Sequence, residues 1–434
     1  MAYNYILSPK CGYLVDFSDG ARPGTMSGSE GAYLRELANM VAEIAALPVQ
    51  DDKRRVWYDH CSLKSKKPVL LVFPESSWAE ILPGESMKVV DPYWRQWEWY
   101  LRQLIYRHES LYDDLVIDPV LYINRRRVMT GWGLDATVNT PEHTFGAFAW
   151  NPPIQNPDDI KKLKRPELIP TEDIEHEEYS ATQELFGEIL KVEYYGQLPA
   201  ANYISEACFL RGTEQLMIDM YDRPEWVHEL IGFISGAFID ITKLLEKTNN
   251  LTLNNDGHYT DSGGISYTHE LPSEDFDGVH VRLKDLWGFG LAQEFVHVSP
   301  EQHEEFLLNY QMPVLEQCGL VSYGCCEPYT RKFEMLRRRI PNLRRVSVSP
   351  WCDIDTAVSE LEDKYIISWK PNPAMLAGEF RPESVRNDIR SALERMSGCV
   401  VEIVLKDLSS IDNDRAKLEA WVGIVREEID RITS

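Results

Sequence analysis

The stretch Gly319-Leu320-Val321-Ser322-Tyr323-Gly324-Cys325-Cys326-Glu327-Pro328 opens the part of the chain that decides the fold. A short apolar run gives way there to small and ionisable residues, and the same grammar returns at Arg345-Val346-Ser347-Val348, Tyr365-Ile366-Ile367-Ser368 and Cys399-Val400-Val401-Glu402-Ile403-Val404-Leu405. Between and after these runs, Tyr329 to Arg339, Thr356 to Leu361, the segment from Arg381-Pro382-Glu383 to Gly398, and Asp414 to Ile432 read as helices. Upstream, Asp222-Arg223-Pro224-Glu225 starts a helix with apolar positions from Trp226 to Leu245; a strand-like Leu251-Thr252-Leu253 follows, and Ser299-Pro300-Glu301-Gln302 opens another helix. Strands joined by helical crossovers lie parallel, so the pattern predicts an α/β protein, either a doubly wound sheet or a (β/α)8 TIM barrel. No Gly-x-Gly-x-x-Gly follows a strand, which favours the barrel over a dinucleotide-binding sheet.

The composition agrees with a large folded enzyme-sized chain. At 44% hydrophobic and 26% charged over 434 residues, disorder is excluded as the main state. The 69 acidic and 45 basic residues leave a net charge of −24. No extended basic tract opposes it, although Arg125-Arg126-Arg127 and Arg337-Arg338-Arg339 form short runs, so nucleic acid is not an expected partner. No apolar stretch reaches the roughly 20 residues of a membrane span, and Met1 to Leu7 has neither a basic nor an extended apolar signal region, so the expectation is a cytoplasmic protein without a membrane partner. Eight scattered cysteines, Cys11, Cys61, Cys208, Cys318, Cys325, Cys326, Cys352 and Cys399, read as reduced thiols. Residues 1–110, with Trp57, Trp78, Trp94, Trp97 and Trp99, lack the strand–helix rhythm and read as an N-terminal cap before a barrel at 111–434; Asn151 to Glu178 reads as a surface excursion.

Barrel chemistry sits where strands end. Asn254, Asn255, Asp256 and His258 follow the 251 run, Gln293, Glu294 and His297 precede the helix at 300, and Cys325, Cys326 and Glu327 follow the 320 run. Cys352 and Asp353, then Lys370 and Asn372, then Lys406 and Asp407 follow the later runs. Cys325, Cys326 and Glu327 combine soft and hard donors, which makes them candidate metal ligands, with Cys352, Glu294, His258 or Asp407 as a third. On an extended chain adjacent side chains point opposite ways, so one of the two thiols is expected to face the cleft. Glu294, His258 and Asp407 are candidate catalytic groups. Asp256, Lys370, Asn372, Lys406, Trp287 and Tyr259 are candidate substrate contacts; either lysine is equally a partner for Asp353 or Asp407, and each aromatic is equally a core residue. His258, Glu294, Lys370 and Asp407 are expected to face one cavity.

The segments Leu210-Arg211-Gly212-Thr213-Glu214-Gln215, Asp222-Arg223-Pro224-Glu225-Trp226-Val227, Gln293-Glu294-Phe295 through Val298-Ser299-Pro300-Glu301, and Lys370-Pro371-Asn372-Pro373 together resemble the uroporphyrinogen decarboxylase superfamily, which includes corrinoid-dependent methyltransferases. The resemblance spans residues 195 to 432 and implies a distorted (β/α)8 barrel with its site at the carboxyl ends of the strands. In the methyltransferases of that superfamily a His-x-Cys pair and a later Cys hold zinc; here Tyr323 stands at the His position, Cys325 at the first Cys, and Lys406-Asp407 at the last. The Arg-rich N-terminal motif with which the decarboxylase reads its tetrapyrrole has no counterpart in residues 1 to 130.

Three functions follow as expectations. The leading one is a methyltransferase component, O-demethylase in type, that moves a methyl group between a methoxylated or methylated small molecule, or a carrier, and a corrinoid on a partner protein, with zinc assisting. The second is a metal-free decarboxylase of a small carboxylated ring, in which Lys370 or Lys406 holds the carboxylate and Asp256 or Asp407 stabilises developing positive charge. The third is a non-catalytic binding protein on the same scaffold.

Overall fold

Six strands form one parallel sheet in the order Trp287–Gly290, Leu320–Tyr323, Leu343–Val348, Ile366–Trp369, Val400–Leu405 and Val69–Val72. The computed structural model describes residues 22–126, 128–139 and 149–434, together with the backbone of Leu7–Ser8 and Gly12–Tyr13; Cys11 and Arg127 lie outside the described residues. The last four strands, Leu343–Val348 through Val69–Val72, are buried along almost their whole length, as expected of a parallel sheet covered on both faces, and this is why their sequences run apolar instead of alternating. Helices Phe333–Arg339, Ile354–Leu361 and Pro382–Arg395 make the crossovers, and Arg415–Thr433 packs beside Pro382–Arg395.

Two features depart from the sequence reading. Val69–Val72, inside the stretch read as a cap, pairs with Val400–Leu405 and belongs to the sheet. Around it, helices Gly28–Ala45, Pro48–Cys61 and Pro92–Tyr106 bury the aromatic residues Trp57, Trp94, Trp97 and Trp99 as core. The second departure is at Leu251-Thr252-Leu253, which forms no ladder: Thr252 N donates to Gly196 O at 2.8 Å, and the Asn254 amide both donates to Trp287 O (3.0 Å) and accepts from Trp287 N (2.9 Å). A side-chain amide thus satisfies the edge of Trp287–Gly290 where a strand would otherwise pair. The strand in this region is Asp256–Tyr259, antiparallel to Ile265–Tyr267. A separate parallel pair, Val120–Asn124 with Lys191–Tyr195, stands beside the main sheet, and Ala201 bridges to Gly290. The architecture is α/β with a six-stranded parallel sheet; a closed ladder of eight strands is not formed among the described residues. No helix of the described residues is long and apolar enough to cross a membrane.

Inside the sheet lies a buried ion network. Arg345 reaches Asp261 (2.9 Å), Glu402 (3.0 Å) and Ile265 O (2.7 Å), and its guanidinium lies 5.0 Å from the Trp287 ring centre. His60 approaches Glu402 at 3.5 Å from the helix Pro48–Cys61. Burial alone would raise the Glu402 carboxyl; the charge of Arg345 and the His60 contact reverse that and hold it at about 2. Arg345→Leu therefore strands two buried carboxylates. The expected loss is about 3–5 kcal/mol of unfolding free energy, measured by urea denaturation at neutral pH.

Candidate active site

The Leu320–Tyr323 strand ends at Gly324, whose φ of +103° is reached at little cost only without a side chain. A Cβ there would also stand 2.5 Å from the Tyr329 ring. The turn breaks the extended alternation, so both thiols come to the same side: Cys325 and Cys326 Sγ are 3.4 Å apart and both side chains are half-buried. The expectation that a single thiol faces the cleft is corrected by this turn. Glu327 lies beneath it, fully buried, accepting from Cys325 N (3.0 Å), Ala292 N (2.8 Å) and the Tyr329 hydroxyl. Its role in this geometry is to hold the thiol loop against the sheet.

Three other segments close on the thiols. The turn 260–264 is fastened by Asp261, which accepts from Ser322, Gly264 N and Arg345, and this sets Ser262 Oγ 3.0 Å from Cys325 Sγ as a donor. Gly263 (φ +100°) lets that turn press on the sheet, since a Cβ would stand 2.4 Å from Val404. After Val400–Leu405, the Lys406 ammonium lies 3.2 Å from Ser262 Oγ, 3.1 Å from Asp407 and 4.0 Å from Cys326 Sγ. After Val69–Val72, Glu75 accepts from Asp407 N at 3.0 Å and lies 4.0 Å from Lys406.

The electrostatics follow from these contacts. A hydrogen bond from Cys326, opposed by burial and helped by Lys406 and Ser262, holds the Cys325 thiol below its ordinary range, while the same hydrogen bond pushes Cys326 up. Cys325 is accordingly the more acidic of the pair. The single Cys326 proton has two acceptors within reach, Cys325 and, at 3.2 Å, Asp407 Oδ2. Burial would depress Lys406, but Cys325 and Glu75 outweigh it and keep the ammonium charged. Burial pushes the Glu75 carboxyl up to about 7 against the pull of Lys406, so it can give and take a proton near neutrality.

Of the residues singled out in the sequence, Cys325, Cys326, Glu327, Lys370, Lys406 and Asp407 fall in one hydrogen-bonded cluster. Lys370 joins it indirectly: the buried ammonium donates to Ser347 Oγ (2.7 Å) and Ser368 Oγ (3.2 Å), and Ser347 donates to Cys325 O. Burial lowers its pKa. The rest have other partners. His258 pairs with Asp256 at 2.7 Å and stacks on Tyr195, against the 120–124 and 191–195 pair. Glu294 is bound by Ser205, and burial raises its carboxyl. Trp287 starts its strand, at the end opposite Gly290, and is core beneath Arg345, the second of the two readings the sequence left for it, and not a substrate contact. Tyr259 packs edge-on against Phe73, and Asn372 caps the 373–376 turn. Glu75 and Ser262 were not among the expected residues, although Val69-Leu70-Leu71-Val72-Phe73-Pro74-Glu75 has the same grammar of apolar run and terminal charge as the later strands.

The zinc implied by the superfamily resemblance does not fit this donor set. Zinc takes about four ligands. Among the described residues no three His, Cys, Asp or Glu side chains converge to hold a metal ion. Glu327 is spent on the loop, and the Lys406 ammonium stands against Cys326 and Asp407. No family model and no curated protein matches the chain. Among solved structures it is similar to a methyltransferase from Methanosarcina mazei at 9% identity and a TM-score of 0.37, over 70% of this chain and 77% of that one.

Removing the cation tests the electrostatics. In Lys406→Met the Cys325 pKa rises, so alkylation of Cys325 by iodoacetamide at about pH 5, below the wild-type titration range, slows by about tenfold for a rise of one pKa unit, as followed by peptide mass spectrometry.

Proposed function

We propose that the chain is a methyl-transferring enzyme in which Cys325 carries the methyl group between a methylated or methoxylated small molecule and a corrinoid on a partner protein. The observation that carries this reading is the half-buried Cys325 thiol, held toward its anionic form by Cys326, Lys406 and Ser262 at the end of a parallel strand. The superfamily resemblance of residues 195 to 432 supplies methyl as the group, and the distorted (β/α)8 barrel is part of the same proposal.

In the first step the Cys325 thiolate attacks the methyl carbon in line with its bond to oxygen. The sulfur–carbon bond forms as the carbon–oxygen bond breaks, and the electron pair leaves on oxygen. Glu75, whose carboxyl burial pushes up to about 7, gives that oxygen its proton. A corrinoid on the partner protein would supply the nucleophile that accepts the methyl group, and the electron pair of the broken sulfur–carbon bond would return to Cys325 sulfur. Lys406 and the Cys326 S–H stabilise the departing thiolate. The decarboxylase reading asks for a lysine to hold the substrate carboxylate; here Lys370 donates to Ser347 and Ser368, and Lys406 is held by Asp407 and Ser262.

The test is direct. Incubation with methylcobalamin, or with methoxylated aromatics and cob(I)alamin, is expected to place one methyl on the Cys325 peptide and to form or consume methylcobalamin. Cys325→Ser should lower turnover by at least about a hundredfold. No methyl on Cys325 and no change in methylcobalamin with any donor would overturn the reading.

A further inference from the structure

We propose that Cys325 and Cys326 together form a bidentate site for a trivalent arsenical, a soft thiophile that one thiol holds weakly and two hold as a chelate. The inference uses the same thiols as the methyl-transfer reading but requires no methyl chemistry.

Three observations carry it. The two sulfurs stand 3.4 Å apart. Two bonds of roughly 2.3 Å, the length of a metal–thiolate bond, meeting near a right angle span about 3.3 Å, so a single soft centre bridges the pair without moving the backbone. Both thiols are half-buried, whereas Cys61, Cys208, Cys318, Cys352 and Cys399 are buried, so this pair is the accessible soft site among the described cysteines. Finally, among the described residues no group of three His, Cys, Asp or Glu side chains is arranged to hold a metal ion, and the Lys406 ammonium lies close to Cys326. A divalent ion that needs four donors is poorly served by that set. An organoarsenical keeps its own carbon substituent, needs two thiolates, and becomes neutral on binding, which leaves Lys406 to Asp407 and Glu75.

The chemistry balances without an oxidant or reductant. With phenylarsine oxide, two arsenic–sulfur bonds form and the arsenic–oxygen bonds break. The oxygen leaves as water with the Cys326 thiol proton and one proton from solvent, and arsenic stays trivalent. Ser262 and Lys406 favour the Cys325 thiolate that attacks first, and the Cys326 thiol closes the ring.

Reduced full-length protein treated with phenylarsine oxide should gain one phenylarsenic group per chain by intact mass. Peptide mapping of the wild-type adduct should place it on the peptide holding Cys325 and Cys326, a result that needs no variant to fold. Excess 2-mercaptoethanol should leave the adduct and 2,3-dimercaptopropanol should strip it. Cys325→Ser and Cys326→Ser should each weaken retention by about a hundredfold or more, because the second bond is intramolecular. An adduct on another cysteine, retention unchanged in either variant, or no adduct overturns the proposal. Arsenical capture without methylation of Cys325 would count against the methyl-transfer reading alone, and methylation without capture against this one alone.

Discussion

The contact between the Arg345 guanidinium and Asp261, buried inside the sheet, is the interaction on which the rest of the site depends. Arg345 rises from the strand Leu343–Val348 and meets Glu402 on Val400–Leu405, so it joins two strands that flank Ile366–Trp369. Through Asp261 it also fastens the 260–264 turn, whose next residue, Ser262, donates to Cys325 and receives from Lys406. A charge taken out of water is tolerated only with well-placed partners, and here the partners belong to the elements that position the thiols. Stability and site geometry therefore share one set of contacts.

The same reasoning explains why a cluster with two thiols, two carboxylates and a lysine holds together. Burial alone raises Glu75 and would depress Lys406, and it works against an anionic Cys325. Placed within a few ångströms of one another, these groups reverse the penalty for the lysine and the thiol, while burial still holds the Glu75 carboxyl up at about 7. Lys406 supplies the positive charge that a metal would otherwise bring to a thiolate. It does so as a point charge with fixed hydrogen-bond partners, Ser262 and Asp407. This is a physical account of how the Cys325 sulfur is held toward its anionic form by groups of the chain itself.

Much of this was legible in the chain itself. The apolar runs at 320, 346, 366 and 400 are strands because each is too continuously apolar to face water and too short to be a buried helix, and the polar residues that follow them mark one end of the sheet. Cys325, Cys326, Lys406 and Asp407 were found by that rule alone. The reading failed where local pattern does not determine pairing. Leu251-Thr252-Leu253 has the composition of a strand, yet Asn254 satisfies the neighbouring edge with its side chain. Val69–Val72 lies far from its partner strand in sequence, so Glu75 could not be placed beside Lys406 from spacing. His258 was placed after a strand at 251 that does not form, and the strand Trp287–Gly290, with Trp287 at its start, was not read from the sequence. Convergence of both thiols depends on a positive φ at Gly324, which the glycine permits but does not announce.

The central claim is that Cys325 is a thiolate at neutral pH because Cys326, Lys406 and Ser262 surround it. Ultraviolet thiolate absorbance, titrated with acid and base as the difference between wild type and Cys325→Ser, measures this directly. The account predicts that one thiolate persists at neutral pH and is protonated only on acidification, below the ordinary thiol range near 8.5. A difference spectrum that appears only as the pH rises through that ordinary range would contradict it.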